Sequence, residues 1–374
     1  MAFRVALTGF LAFVVALGIG RFSFTPQLPL MIAEHQFTLT GAGVVAAFNY
    51  LGYLFGAIDA MRATRHVERR LWLGVWGAVV LTLLSAAVSG EVWHSLIRFF
   101  IGWTSAWAMV LVSAWCNEHL GRLGRPAMSA AVFAGPGAGI FLSGALAAVI
   151  HHTGLNASQG WLVYGVLALI FTALISRNLP RKGELHRANI VSERLVMSPA
   201  LKRLVLSYSL AGFGYILPAT FFSQMANARF PDSLCAQFVW PVFGGASMVG
   251  IVIGIMTRHC LKSHQRLAIV LFLQGCGVLC AEVVPGINGL IIGAVLTGGG
   301  FLCVVQLTLH CSRELAPNHS RYMAGLLTTG YAIGQLLGPL LSSISTALTH
   351  RLDPALYVAM AGFFIAGALV IKRD

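Results

Sequence analysis

Long apolar runs alternate with short polar gaps from one end of this chain to the other. A helix needs about 20 mostly apolar residues to cross a bilayer, and runs of that length fall near 5–32, 41–59, 71–89, 92–116, 127–150 and 160–177. A second set falls near 203–227, 236–257, 267–284, 288–311, 321–347 and 354–371. The narrowest divisions are the gaps at 89–92 and 285–288. The pattern predicts an all-α membrane protein of twelve transmembrane helices.

Composition agrees with the pattern. Hydrophobic residues make up 57% of the 374 positions and charged residues only 10%, against roughly 25% charged in a soluble domain. The net charge of +13 does not point to nucleic acid, because the basic residues form no patch and accompany no nucleic-acid motif. They lie in alternate gaps. With both termini cytoplasmic, 21 of the 25 Lys and Arg residues fall on inner segments, only Arg229 and Arg351 fall on outer loops, and Arg21 and Arg98 lie inside spans. That asymmetry predicts an even number of spans with both ends inside. The first run resembles a signal peptide in position, but no soluble domain follows it, so it reads as an uncleaved helix.

The longest inner gap, 178–202, divides the chain into 1–177 and 203–374. The two parts echo each other. Gly18-Ile19-Gly20 is matched by Gly212-Phe213-Gly214, and Met31 by Met225, 194 positions on. Cys116 and Leu120 are matched by Cys311 and Leu315, and Gly135-Pro136 resembles Gly338-Pro339. These echoes suggest two parallel six-helix repeats, an arrangement that places a solute site between the halves near the bilayer midplane. Neither intramembrane arginine is repeated: Tyr215 stands opposite Arg21 and Gly293 opposite Arg98.

Several stretches resemble the major facilitator superfamily. Arg98, Gly102 and Ala106 are similar to that family's fourth-helix pattern, and Gly135-Pro136 with Gly139 to its fifth-helix Gly-Pro motif, with Ala131 where a further glycine is usual. The gap after the second run reads GAIDAMRATRHVERR, a degenerate form of the family's gating signature in which Asp59 follows Gly56 by three. Within the superfamily, GIGRFSFTPQLPLM at 18–31, NYLGYLFGA at 49–57, GFGYILPATF at 212–221 and YAIGQLLGP at 331–339 resemble the YbfB/YjiJ group of bacterial transporters. The resemblance implies the facilitator fold in a bacterial inner membrane, a monomer, and secondary transport with no cofactor. It also implies a gating role for Asp59. Gly135, Pro136, Gly334, Gly338 and Pro339 permit the close helix contacts and bends that rocking of the halves needs, or serve static packing.

Charged groups inside spans are costly and usually functional. Arg21 and Arg98 fall at similar depth, and no carboxylate lies well inside the first six spans: Glu34, Asp59, Glu91 and Glu118 are all at span ends. Two readings stand for each arginine. It binds backbone carbonyls as a structural group, or it pairs with an anionic substrate, for which a guanidinium is well shaped. Glu282 and His310 are the titratable candidates for proton coupling, against an interfacial role for the first and packing for the second. Asn49, Gln224, Gln274, Gln306 and Gln335 lie within apolar runs, where amides either bind solute or bridge helices; Asn49 and Gln335 sit inside the family-like stretches. Together Arg21, Arg98, Asn49, Tyr215, Gln224 and Gln335 form the candidate substrate set. Gly330, Gly334 and Gly338 share one helix face; Pro26 and Pro29 are expected to bend or end the first helix on its outer side, and Pro218 to kink the seventh. The seven cysteines show no CxxC pair and read as small apolar residues.

No phosphate-binding GxxxxGK[ST] loop and no HExxH or GxSxG motif occurs, which argues against ATP-driven transport and against an enzyme. The expected function is secondary active transport of a small organic solute by alternating access, proton-coupled, with an anionic substrate. The expected partners are that solute and the lipid bilayer, without nucleic acid or metal. A transporter-fold sensor or scaffold, and an integral membrane enzyme, are the alternatives.

Overall fold

A computed structural model describes residues 1–63, 65–185, 195–231, 233–349 and 351–371. Twelve long helices account for nearly all of them: α1 Ala2–Ala33, α2 Leu39–Arg62, α3 Val67–Ser85, α4 Glu91–Arg122, α5 Ala127–Thr153 and α6 Ala157–Asn178, then α7 Pro199–Arg229, α8 Leu234–His259, α9 Ser263–Val283, α10 Ile287–Leu315, α11 Ser320–Thr349 and α12 Asp353–Ile371. Among the described residues, eleven are long and apolar enough to cross a membrane. The other is α3, a 19-residue helix whose first turn carries Glu68, Arg69 and Arg70. The end of the bundle that holds Ala2 and Ile371 is the near end below; the opposite one is the far end.

Most helices run past their expected spans, α4 by six residues at the near end, because a helix emerging from lipid continues until a cap or breaker stops it. Local chemistry fixes several starts. The Thr38 hydroxyl accepts the Gly41 N–H at 3.1 Å, Asn156 and Gln159 form a reciprocal capping box on α6, and Ser198 caps α7 ahead of Pro199 at its first position. These are the residue types that satisfy the unpaired first-turn N–H groups. The expected linker at 178–202 passes through 186–194, outside the described residues. Its described beginning is held by Trp72, which donates to the Pro180 carbonyl at 3.1 Å, and by Glu68, which accepts the Gly183 N–H at 2.9 Å.

The first helix departs from expectation. Pro26 and Pro29 do not end it; the chain stays helical to Ala33. The irregularity lies earlier, where Val14–Arg21 winds as a π-helix. Two glycines weaken the α-helix there, and beyond them Thr25 N–H bonds Phe22 O instead of Arg21 O. π-turns of this kind are common at functional sites. Pro218 lies within α7 without interrupting it.

Small residues set the helix crossings. A Cβ on Gly18 of α1 would run into the Gly139 backbone of α5, and one on Gly334 of α11 into the Ser209 carbonyl of α7. Gly139 and Gly334 are 195 positions apart, so the repeat expresses itself as one crossing made twice. The apparent match of Gly135-Pro136 with Gly338-Pro339 does not hold: Gly135 meets Phe10 and Phe13, whereas Gly338 meets Ile216, which corresponds to residue 22 rather than 10. Between α1–α6 and α7–α12 the most extensive contacts are α2 on α11, α5 on α8, and the far part of α1 on α7. Gly144 packs on Pro241 and Gly137 on the Gly244 carbonyl along the α5–α8 seam.

Replacing Gly18 by Val is expected to cost about 3 kcal/mol or more, since overpacking against fixed backbone exceeds the usual penalty for an enlarged core residue. Gly121→Ala, where nothing lies within 4 Å of an added Cβ, should be neutral or slightly stabilising. Thermal unfolding of the purified protein in detergent compares the two.

Candidate functional site

The π-helical turn of α1 carries Arg21 into the middle of the bundle, where it is 5% exposed. Its Nε donates to Asn49 Oδ1 of α2 at 3.3 Å, and its Nη2 donates to Gln335 Oε1 of α11 at 2.6 Å. The second bond joins the first six helices to the last six. The guanidinium lies 4.0 Å from the Tyr53 ring centre, 5.1 Å from Tyr50 and 5.2 Å from Phe22, a cation–π setting that offsets part of its desolvation. Among the described residues, no carboxylate lies within 4.0 Å of it.

A small cavity adjoins this group. Arg21, Tyr53, Tyr208, Phe301, Tyr331 and Gln335 are among its walls, and its free volume of about 30 Å³ suits one or two waters. The walls are tied together by ring stacking, with Tyr208 on Tyr331 at 4.5 Å and Tyr215 on Phe301 at 4.1 Å between ring centres. Tyr215, the repeat counterpart of Arg21, therefore stands behind Phe301, and its buried hydroxyl has no hydrogen-bond partner. On the far side of the cavity, Tyr50 OH and Thr220 Oγ1 lie 3.3 Å apart, and Thr25 donates to the Ala219 carbonyl at 3.1 Å. Both contacts join the two sets of six helices and close the far face.

Arg98 of α4 is deeper still, 1% exposed. Its Nη1 donates to the carbonyls of Gly20 at 3.1 Å and Arg21 at 3.3 Å, where the α-helical pattern of α1 is broken. Phe24 and Trp161 cover its faces, at 4.8 and 4.6 Å. Asn49 ties the arrangement together, because its Nδ2 donates to the Arg98 carbonyl at 2.9 Å while its Oδ1 accepts from Arg21. Arg98 thus fixes the backbone that aims Arg21. Nε and Nη2 of Arg98 are buried without hydrogen-bond partners. Neither nearby acid reaches the arginines: Glu34 accepts the Ala157 N–H at 2.7 Å, and Glu91 packs beside Gly41.

The remaining sequence candidates lie elsewhere. Gln224 is on α7 outside the cavity wall, with its carbonyl oxygen unpartnered. Glu282 belongs to a far-end ion cluster, 3.6 Å from Arg229, which in turn binds Asp353 at 3.0 Å. His310 is exposed at the near end, 3.4 Å from Glu314. Asp59 accepts from Arg70 Nε at 2.8 Å and from Trp107 Nε1 at 2.7 Å, linking α2, α3 and α4 at the near end. Pro136 lines the cavity. Gly338 seats α11 on α7, and the Pro339 carbonyl accepts from Ser342 and faces Gly43 of α2. Gln274 bridges helices by donating to the Thr297 carbonyl at 2.8 Å.

Sequence reasoning missed the tyrosine cage and His94. Tyr50 and Tyr53, three apart beside Asn49, were a legible signal; Tyr208 and Tyr331 come from distant helices. His94 is fully buried one turn before Arg98, between the rings of Phe37 and Trp161 at 6.1 and 6.5 Å. At the near end a recess of about 410 Å³ opens between the two sets of helices, lined by α4, α5, α8, α9 and α10. Phe133 is the lining residue it shares with the small central cavity.

A family described as an uncharacterised MFS-type transporter, YbfB, matches residues 13–371. No curated protein matches the sequence. Among solved structures, the nucleoside transporter NupG superposes with a TM-score of 0.66 at 14% identity, over 99% of this chain and 97% of that one.

A double-mutant cycle of Arg21→Met and Gln335→Leu, read by thermal unfolding, is expected to give a coupling of about 1.5–3 kcal/mol, the range for a buried hydrogen bond to a charged group. Arg98→Met should cost about 2–3 kcal/mol through the two carbonyls it orphans; a loss below 0.5 kcal/mol would show that α1 does not depend on it.

Proposed function

The chain belongs to the YbfB family of major facilitator superfamily transporters, and from that premise we propose that it carries a small organic anion across a bacterial inner membrane by alternating access, coupled to protons. The observation that carries this reading is Arg21: a buried cation with no carboxylate near it, held by Asn49 from one six-helix half and by Gln335 from the other. A buried charge without a counter-ion costs several kcal/mol, and an anionic solute supplies the missing charge. Entry of that solute competes with Gln335 for the guanidinium, so binding loosens the bond between the halves. That link between occupancy and rocking is what alternating access requires.

The near end is cytoplasmic in this reading, with both termini inside. The support is the distribution of Lys and Arg, with only Arg229 and Arg351 at the far end. The far face is closed by Thr25–Ala219 and Tyr50–Thr220, while the recess opens at the near end, a geometry that fits an inward-facing state. Asp59, held by Arg70 and Trp107, keeps α2, α3 and α4 as one unit during the motion. For the proton, His310 faces the near-end recess and Glu282 the far-end ion cluster, so each reports to a different side of the membrane.

A second reading has the tyrosine cage in its favour. Stacked rings around the cavity suit a neutral aromatic solute, and NupG, alike in fold, is named a nucleoside transporter.

One panel separates the two. Melting temperature is recorded against anionic, cationic, neutral and nucleoside solutes for the native chain and for Arg21→Ala. An anionic class that stabilises only the native protein, by about 2.7 kcal/mol at 100 times its dissociation constant, supports the anion reading. Nucleosides stabilising both proteins equally would support the aromatic one. In proteoliposomes with the stabilising solute, His310→Gln or Glu282→Gln is expected to abolish accumulation driven by a pH gradient while leaving counterflow intact; retention of both activities in both variants removes them from the coupling path.

A further inference from the structure

The near-end recess contains chemistry that the central cavity does not use. Arg258 at the end of α8, Arg266 on α9 and Arg313 on α10 all line it, together with His310 and Gln306, and no Asp or Glu is among its lining residues. Each arginine makes a single described hydrogen bond. Arg258 Nε donates to His259 Nε2 at 2.8 Å, Arg266 Nη2 to the Gly254 carbonyl, and Arg313 Nε to the Leu309 carbonyl at 3.2 Å. A guanidinium carries five N–H donors, so most remain unspent. Among the described residues none of the three arginines has a carboxylate within 4.0 Å. Glu314, next to Arg313 in sequence, is occupied by Ser263 at 2.8 Å and His310 at 3.4 Å.

Orientation signals account for arginines at this end of the helices. They do not account for three that converge from α8, α9 and α10 on one recess. The recess volume of about 410 Å³ falls in the usual range for small-molecule sites, about 300–1,000 Å³. Its opposite wall, from α4 and α5, is uncharged and mostly small or apolar, with Asn117 and Ser129 hydrogen-bonded to each other there. Phe133 separates the recess from the cavity of Arg21.

We propose that this recess is a second anion-binding station, in which Arg258, Arg266 and Arg313 hold the carboxylate or phosphate groups of a small organic anion on its way to or from Arg21. The proposal takes its solute from the anionic reading of the transport function. Guanidinium forks match both oxyanions geometrically, and three of them favour a solute with more than one negative charge. The same chemistry suits the phosphate of an anionic lipid headgroup, so the source of the anion is part of the test.

The test uses the full chain in nanodiscs of phosphatidylcholine, with citrate and pyrophosphate as probes and sodium chloride at matched ionic strength as the control. Both probes, or one of them, should raise the melting temperature of the native chain above the chloride control. The triple variant Arg258→Gln, Arg266→Gln, Arg313→Gln should weaken the apparent dissociation constant at least about tenfold, while Arg21→Gln retains it. If the triple variant fails to fold, Arg258→Gln and Arg313→Gln alone, both exposed positions, serve in its place. The proposal is overturned if the probes shift nothing, or if the triple variant binds as the native chain does. A response lost only in Arg21→Gln overturns it too, yet leaves the transport reading standing. If phosphatidylglycerol in the discs reproduces the stabilisation without added probe, and the arginine variants abolish it, the station holds and its occupant is a lipid headgroup.

Discussion

A single guanidinium holds the centre of this molecule together. Arg21 is costly to bury, and the structure meets that cost with two amide oxygens, three aromatic rings and no negative charge. Because one amide belongs to α2 and the other to α11, the group that most needs partners draws them from both six-helix sets. The π-turn, the Arg98 contacts to the backbone carbonyls of Gly20 and Arg21, and the double role of Asn49 all serve to place that one side chain. Remove the placement and the cavity loses the one cation among its described lining residues.

Around this centre the packing is tight at the crossings and open at one end. Helices without a hydrophobic drive to associate in lipid rely on close backbone approach, and the glycine contacts of α1 with α5, α7 with α11 and α5 with α8 provide it. The far face is shut by side-chain bonds between the halves, whereas the near-end recess parts α4 and α5 from α8 and α10. A path inward from that recess meets Phe133 before it meets Arg21. The arginines, the ring between them and the polar recess thus lie in series.

Most of the fold was written in the hydropathy of the chain, because lipid demands long apolar helices and leaves few other solutions. Among the long described helices, the one outside the eleven apolar enough to cross a membrane, α3, hid its start behind Glu68, Arg69 and Arg70, which belong to the helix; Glu68 accepts from the linker and Arg70 binds Asp59. Asn49 and Gln335 could be singled out as amides in apolar runs, and the structure brings both to Arg21. What stayed hidden was three-dimensional. Nothing in the spacing of Tyr208 and Tyr331 says that they stack, and the π-winding of Val14–Arg21 leaves no periodic trace because every position in it is buried. Glu282 and His310 were visible as titratable groups, but sequence could not show that they sit at opposite ends of the bundle, far from the guanidinium they were weighed with.

The π-helical stretch has a bearing on how α1 can be compared with other helices. An α-helix advances about 100° for each residue, and a π-turn absorbs an extra residue without lengthening the rod in proportion. A relative whose first helix is wound as an ordinary α-helix would therefore match this one residue for residue only up to Phe13. Beyond it, an ungapped alignment would pair Arg21 with a side chain pointing at a different neighbour. The arginine's address is set by winding as much as by position, so its presence or absence in a relative is meaningful only after superposition.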